Sequence, residues 1–275
     1  MPDAYRLRFL RRAACGLLLA GIGGAAGAQA LRVVTEATAY TFDENGTAPG
    51  PATALVRATL ERAGVHDYRL DLYPWARAYD KALNEPNVLI YLIARTPERE
   101  PLFLWTAEVL RIQYHLYRLT ERSDIRVASL ADAQRYVVGV VRDDLRHQYL
   151  RKRGFTRLTV SAQEQESMRR LLARQVDLLP LAEIDAEQLC RDTRPRCTGL
   201  VRVLTLDELT SGLYMAYSRG TAPALVRRTR EAFAQLRAEG AVQRAFAGLP
   251  GGAVPEPHAP HAVPTPPPAP PKSKP

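Results

Sequence analysis

The chain has 275 residues and a mass of 30.5 kDa, room for two ordinary domains or one large one. Hydrophobic residues at 46% and charged residues at 24% exclude bulk disorder, collagen and a polytopic membrane protein. The formal charge of +9 is spread unevenly: residues 1–30 net +3 and residues 250–275 net +1, so the 219 residues between hold a mild +5, too little to indicate nucleic acid without a basic motif.

The N-terminus reads as a secretory signal. Arg6, Arg8, Arg11 and Arg12 form a basic region, Ala13 to Ala20 begin an apolar one, and both Ala26-Gly27-Ala28 and Ala28-Gln29-Ala30 offer an A-x-A cleavage site. The apolar run is shorter than the ~20 residues a spanning helix needs. Residues 1–30 are therefore expected to be removed, which places the mature protein in the periplasm. Next come a strand at Leu31–Thr35 and a helix spaced by Ala52, Leu55, Val56, Leu60 and Ala63 that stops at Gly64. A strand at Tyr68–Tyr73, a helix from Trp75 to Leu83 and a buried strand from Val88 to Ile93 complete a first block.

A second block opens with a helix capped by Ser129, with Asp132 three residues on. It continues with a strand at Tyr136–Val141, a helix from Asp144 to Arg153 ended by Gly154, a strand at Leu158–Val160, a helix from Gln163 to Val176 and a strand at Leu178–Leu181. Thr106–Leu119 suits a long strand leaving the first block and Val201–Tyr217 its return, before one long or two short helices from Ala224 to Phe246. Cys190 and Cys197, with six residues between them, read in an exported protein as a local disulfide stapling a surface loop. From Pro250 the chain holds 11 of its 21 prolines, and a disordered or polyproline II tail is expected. The histidines of that tail lack companion ligands, and neither a metal site nor a cofactor is expected.

Two successive β-α-β-α-β blocks define an α/β protein with two parallel-sheet lobes. Lobe one is residues 31–114 plus 213–249, lobe two is 115–212, and the two crossings form a hinge. The segment Pro86–Glu100 (PNVLIYLIARTPERE), followed by Phe103 and Trp105, resembles a signature of family 3 extracytoplasmic solute-binding proteins, the amino-acid-type binding components of ABC importers. Thr96-Pro97-Glu98-Arg99 with Phe103 matches that family's T-P-E-R…F pattern, and Tyr73-Pro-Trp-Ala-Arg-Ala-Tyr79 resembles a less characterised proteobacterial branch. The resemblance spans most of residues 31–249. It implies the type II periplasmic-binding-protein fold with a ligand cleft between the lobes, a small polar solute such as an amino acid as ligand, and a membrane permease as partner of a monomer.

In open parallel sheets ligands sit beyond the carboxyl ends of strands. That rule selects Glu36 and Tyr40 after the first strand, Trp75 and Arg77 after the second, and Tyr91, Arg95 and Arg99 on and after the third. In lobe two it selects Asp143 and Asp144, the latter also a helix N-cap, and Glu183. Arginine's planar fork suits a carboxylate, and the resemblance implies that Arg99 grips the ligand's α-carboxylate. Tyr40 and Trp75 suit stacking on the ligand body. Lobe two departs from the family: Arg142-Asp143-Asp144 stands where small hydroxyl residues and glycine are usual, and Glu183 stands near the usual ammonium-binding acid. These departures leave a ligand with a cationic or polyhydroxyl end equally open. Two rival readings are a sensory or accessory binder reporting to a membrane receptor, and a dehydratase-like periplasmic enzyme, although no histidine falls at a cleft strand end.

Overall fold

The computed structural model describes residues 30–41, 49–193, 197, 199–247 and 249. Apart from Ala30, the segments read as a signal peptide and as a proline-rich tail lie outside them. No helix among the described residues is long and apolar enough to cross a membrane.

Lobe one is built on β1 (Leu31–Thr35), α1 (Pro51–Arg62), β2 (Tyr68–Leu72), α2 (Trp75–Asn84) and β3 (Val88–Ala94). β1 pairs in parallel with both β2 and β3, and β3, between β1 and β8, is buried along almost its whole length, as its nearly uninterrupted apolar sequence VLIYLIA requires. β2 lies at the sheet edge, where Tyr68-Arg-Leu-Asp-Leu72 alternates. A single turn of 3₁₀ helix at Glu100–Leu102 leads into β4 (Phe103–Leu119), which starts three residues earlier than the sequence pattern predicts.

Lobe two contains α3 (Leu130–Ala133), β5 (Val138–Val141), α4 (Leu145–Lys152), β6 (Leu158–Ser161), α5 (Glu164–Leu172), β7 (Leu179–Ala182) and α6 (Glu183–Asp192). β5 pairs in parallel with β6 and through a Val138–Leu178 bridge with the run into β7. The chain returns along β8 (Leu200–Ser218) and closes with α7 (Pro223–Ala238) and α8 (Ala241–Phe246) on lobe one. Gly240 separates these two helices at φ +74°, a left-handed turn that glycine adopts without a Cβ penalty.

β4 and β8 hold the molecule together. They pair antiparallel from Phe103–Ser218 to Leu119–Leu200, with β8 lying between β3 and β4 in lobe one and β4 lying between β8 and β7 in lobe two. Between Ile112 and Tyr114 the β8 partner jumps from Ser211 to Leu206, and such irregularities bend and twist a ribbon. The two lobes thus share one bent ribbon that crosses between them twice.

Cys190 and Cys197 form a disulfide with Cα atoms 5.0 Å apart. Cys190 belongs to α6, so the bridge fastens the last turns of a helix to the chain that follows it rather than stapling a free loop. The sequence reading gave no helix here, because Ile184, Ala186 and Leu189 make too short an apolar stripe beside a conspicuous cysteine pair.

Candidate ligand-binding cleft

The carboxyl ends of β1, β5, β6 and β7 converge where the lobes meet. After β1 the chain folds back on itself: the Thr41 hydroxyl donates to the Glu36 carbonyl at 2.8 Å and accepts from the Thr38 amide at 2.8 Å. The turn is pinned to the start of α1 by Gly50, whose amide donates to the Thr41 carbonyl at 2.7 Å. A Cβ at Gly50 would stand 2.7 Å from the Tyr40 carbonyl oxygen, so only glycine fits this approach. Tyr40 is thereby driven inward to 2% exposure, edge-on to Phe246, and its hydroxyl is buried with no hydrogen-bond partner among the described residues.

Lobe two supplies a charged wall. Asp144 caps α4: its Oδ1 accepts from the His147 amide at 2.7 Å, and its Oδ2 accepts from Arg146 Nε at 2.6 Å. Arg146 also pairs with Glu164 at the start of α5, donates to the Pro180 carbonyl at 3.1 Å, and lies 5.2 Å over the Tyr114 ring. Burial would lower its pKa, but Asp144 and Glu164 outweigh that and hold the guanidinium charged. Asp185, in the first turn of α6, is buried. Together with Glu36, Tyr40 and Trp75, the side chains of Arg146, Glu164, Tyr114 and Asp185 line a cavity of about 40 Å³, more than the ~10–15 Å³ that a single water needs. Burial, then the neighbouring Glu164, pushes the pKa of Asp185 up to about 7, and the same causes raise Glu36 well above the ordinary carboxylate range.

A second set of contacts crosses between the lobes beside this cavity. Asp143 sits at φ +59°, and its backbone carbonyl accepts from Arg99 Nη2 at 3.3 Å and from Trp75 Nε1 at 3.1 Å. Arg99 is 2% exposed, and its guanidinium lies 5.5 Å from the Trp75 ring centre and 5.0 Å from that of Tyr79. Nη1 donates to the Ala94 carbonyl at 3.3 Å, while Nε is buried without an acceptor. Burial lowers the pKa of Arg99. At the rim, Glu98 of lobe one pairs with Lys152 of lobe two, an exposed bridge that adds little stability.

The residues selected from sequence therefore separate into groups. Glu36, Tyr40 and Trp75 line the cavity. Arg99, Trp75 and Asp143 form the contact between lobes, Asp143 through its carbonyl and not its exposed carboxylate. Asp144 anchors Arg146 and caps α4. Tyr91 lies in the core, its hydroxyl 2.8 Å from Thr53 of α1. Arg95 is turned outward onto Glu100 through two 2.6 Å bonds, and exposed Arg77 stacks on Tyr73 at 4.8 Å. Glu183 is exposed on a separate open groove beside the disulfide, with Tyr117, Glu187 and Arg202; the carboxylate of α6 that faces the cleft is Asp185.

Sequence reading missed Arg146, Glu164, Asp185 and Tyr114. The strand-end rule, extended to β6, finds Glu164 three residues past Ser161. Leu92 was also missed. It lines the cavity at φ +61°, where β3 slips register against β8 between Tyr91 and Ile93. A leucine held there costs about 1–3 kcal/mol, strain of the kind that gathers at functional sites.

No protein-family model matches the chain, and no curated protein matches it in sequence. Solved structures do match in fold. A histidine kinase sensor domain with similarity to periplasmic binding proteins superposes with a TM-score of 0.73 at 22% identity, over 82% of this chain and 98% of its own. An ancestral arginine-binding protein bound to arginine gives 0.69 at 19% identity, over 80% and 98%. A structure from a study of glutathione import via GshT and the cystine ABC importer TcyBC of Streptococcus mutans gives 0.71 at 14%, over 82% and 97%. The chain has the two-lobed α/β fold of periplasmic binding proteins, with a hinge of two crossings.

Proposed function

We propose that this chain is a periplasmic solute-binding protein that captures a small polar solute by closing its two lobes, serving an ABC importer through a membrane permease. The observation that carries this reading is the enclosed, charged cavity at the strand ends, walled by Glu36, Tyr40 and Trp75 from lobe one and by Arg146, Glu164 and Asp185 from lobe two. Solute docks on one wall, the β4–β8 ribbon bends, and the Asp143 carbonyl meets Arg99 and Trp75 as the cleft closes. After removal of its signal segment the protein acts as a periplasmic monomer with no resident cofactor. Its chemistry in this reading is recognition, with the buried carboxylates facing an arginine and aromatic rings.

A sensory role is the second reading, favoured by the likeness to a histidine kinase sensor domain. It uses the same cleft and closure and differs in the membrane partner that reads the closed form.

The test is a thermal-shift screen of amino acids, amines and small acids. A bound solute at a hundredfold excess over its Kd stabilises the fold by about 2.7 kcal/mol, which for a domain of this size raises Tm by roughly 5–10 °C. A screen in which no solute moves Tm overturns the reading. Loss of labelled-solute uptake on deletion of the gene supports import; intact uptake with a lost transcriptional response supports sensing.

A further inference from the structure

The cleft also narrows the chemistry of its solute, an inference that rests on the solute-binding reading above. We propose that the solute is an organic amine that needs no carboxylate, its ammonium head held by Glu36 of lobe one and Asp185 of lobe two, with the Tyr40 hydroxyl as a further hydrogen-bond partner.

Charge is the first ground. Four carboxylates, Glu36, Asp144, Glu164 and Asp185, surround one guanidinium, that of Arg146. Arg146 is engaged by Asp144 and Glu164 and by the Pro180 carbonyl, so it has little left to offer an anionic ligand. Arg99 is not part of the cavity wall; it is stacked on Trp75 and Tyr79 and bound to the carbonyls of Ala94 and Asp143. Glu36 and Asp185 both face the cavity, and neither has an ion pair among the described residues.

The second ground is independent of charge. Tyr40 is 2% exposed, its hydroxyl has no partner among the described residues, and it lines this same cavity. A buried hydroxyl left unpaired costs about 1–3 kcal/mol, and an ammonium donor satisfies it. The rings of Trp75 and Tyr114 complete a wall of the kind that attracts cations. The cavity of about 40 Å³ has room for an ammonium group. Among the described residues, no group of three or more His, Cys, Asp or Glu side chains is placed to hold a metal ion.

Binding should be linked to protons. Asp185 of α6 faces Glu164 of α5, Asp144 and Arg146 of α4, Tyr114 of β4, and Glu36 and Tyr40 of the segment after β1, and its pKa stands near 7. A cation selects the ionised carboxylate, so affinity falls as pH drops below 7, by about thirtyfold at pH 5.5.

The experiment titrates the full chain calorimetrically at pH 8.0, 7.0 and 5.5 with putrescine, agmatine, L-arginine, L-glutamine and L-glutamate. At pH 7.0 it is run in both phosphate and Tris, so that protons released on binding are counted. The expected result is binding of putrescine or agmatine, with L-arginine no tighter than agmatine and no comparable binding of glutamine or glutamate. Proton release at pH 7.0 and weakening by more than about tenfold at pH 5.5 accompany it. Glu36→Gln and Asp185→Asn, near-isosteric changes whose folding circular dichroism checks, should each weaken the amine by about tenfold or more. Binding only of solutes that carry a carboxylate overturns the amine assignment and leaves solute binding standing. Binding without proton release overturns the roles of Glu36 and Asp185, and binding of none of the solutes here or in the wider thermal-shift screen overturns both readings.

Discussion

Arg146→Met should lower stability at pH 7.5 by about 3–5 kcal/mol, because removing one partner of a buried ion pair leaves its opposite charges unpaired. Arg146 is 6% exposed and joins three pieces of lobe two: Asp144 at the start of α4, Glu164 at the start of α5, and the Pro180 carbonyl of β7. Without the guanidinium, Asp144 and Glu164 face each other and the raised acids Glu36 and Asp185 with no cation between them. In a chain of this size the loss corresponds to a fall in Tm of about 6–20 °C. The deficit should shrink as pH falls and the stranded carboxylates take up protons. The double variant Arg146→Met, Glu164→Gln should recover part of it at pH 7.5, since one of the unpaired charges is gone. Thermal unfolding across pH reads all three outcomes. A single variant as stable as the parent at pH 7.5 would show that Arg146 does not organise the wall.

Asp185→Asn should do the opposite to the ligand-free protein. The Asp185 pKa, raised by burial and by Glu164 to about 7, lies above its unfolded value. The folded protein therefore binds more protons between those two values, and stability falls as pH rises from about 4 through about 7. Removing the charge should stabilise the free protein at pH 8 by on the order of 3 kcal/mol and leave stability near pH 4 little changed. In the proposed amine site the same substitution should weaken the solute, and one residue would then trade stability of the empty fold for recognition. Chemical denaturation at pH 4, 6 and 8 measures it. A variant no more stable than the parent at pH 8 would mean that Asp185 is not held at an unfavourable charge.

Much of this frame can be read directly from the chain, and the reason is local. β3 is one apolar run because it is buried on both faces, Gly64, Gly154 and Gly240 carry the positive φ that ends or breaks helices, and Ser129 and Asp144 cap helices with their own side chains. The long β4–β8 ribbon shows as two unbroken alternating stretches. The site was only half visible. The strand-end rule reaches Glu36, Tyr40 and Trp75, but which acid of α6 faces inward depends on the rotation of that helix about its axis, and exposed Glu183 and buried Asp185 are only two positions apart. Arg99 stands out by its motif, yet its interlobe partner is the main-chain carbonyl of Asp143, forty-four positions away, and a backbone acceptor leaves no trace in side-chain identity. The strained Leu92 is likewise invisible, since nothing in VLIYLIA marks which residue bulges.

In the proposed function the lobes close over a solute held between them. Pulsed electron spin resonance between labels at Leu83→Cys on α2 and Thr156→Cys beyond α4, both at exposed positions, measures the separation of the lobes directly. A broad set of distances without solute that collapses to one narrow, shorter distance with saturating putrescine or agmatine is the predicted result. Identical distributions with and without a solute that calorimetry shows to be bound would contradict it.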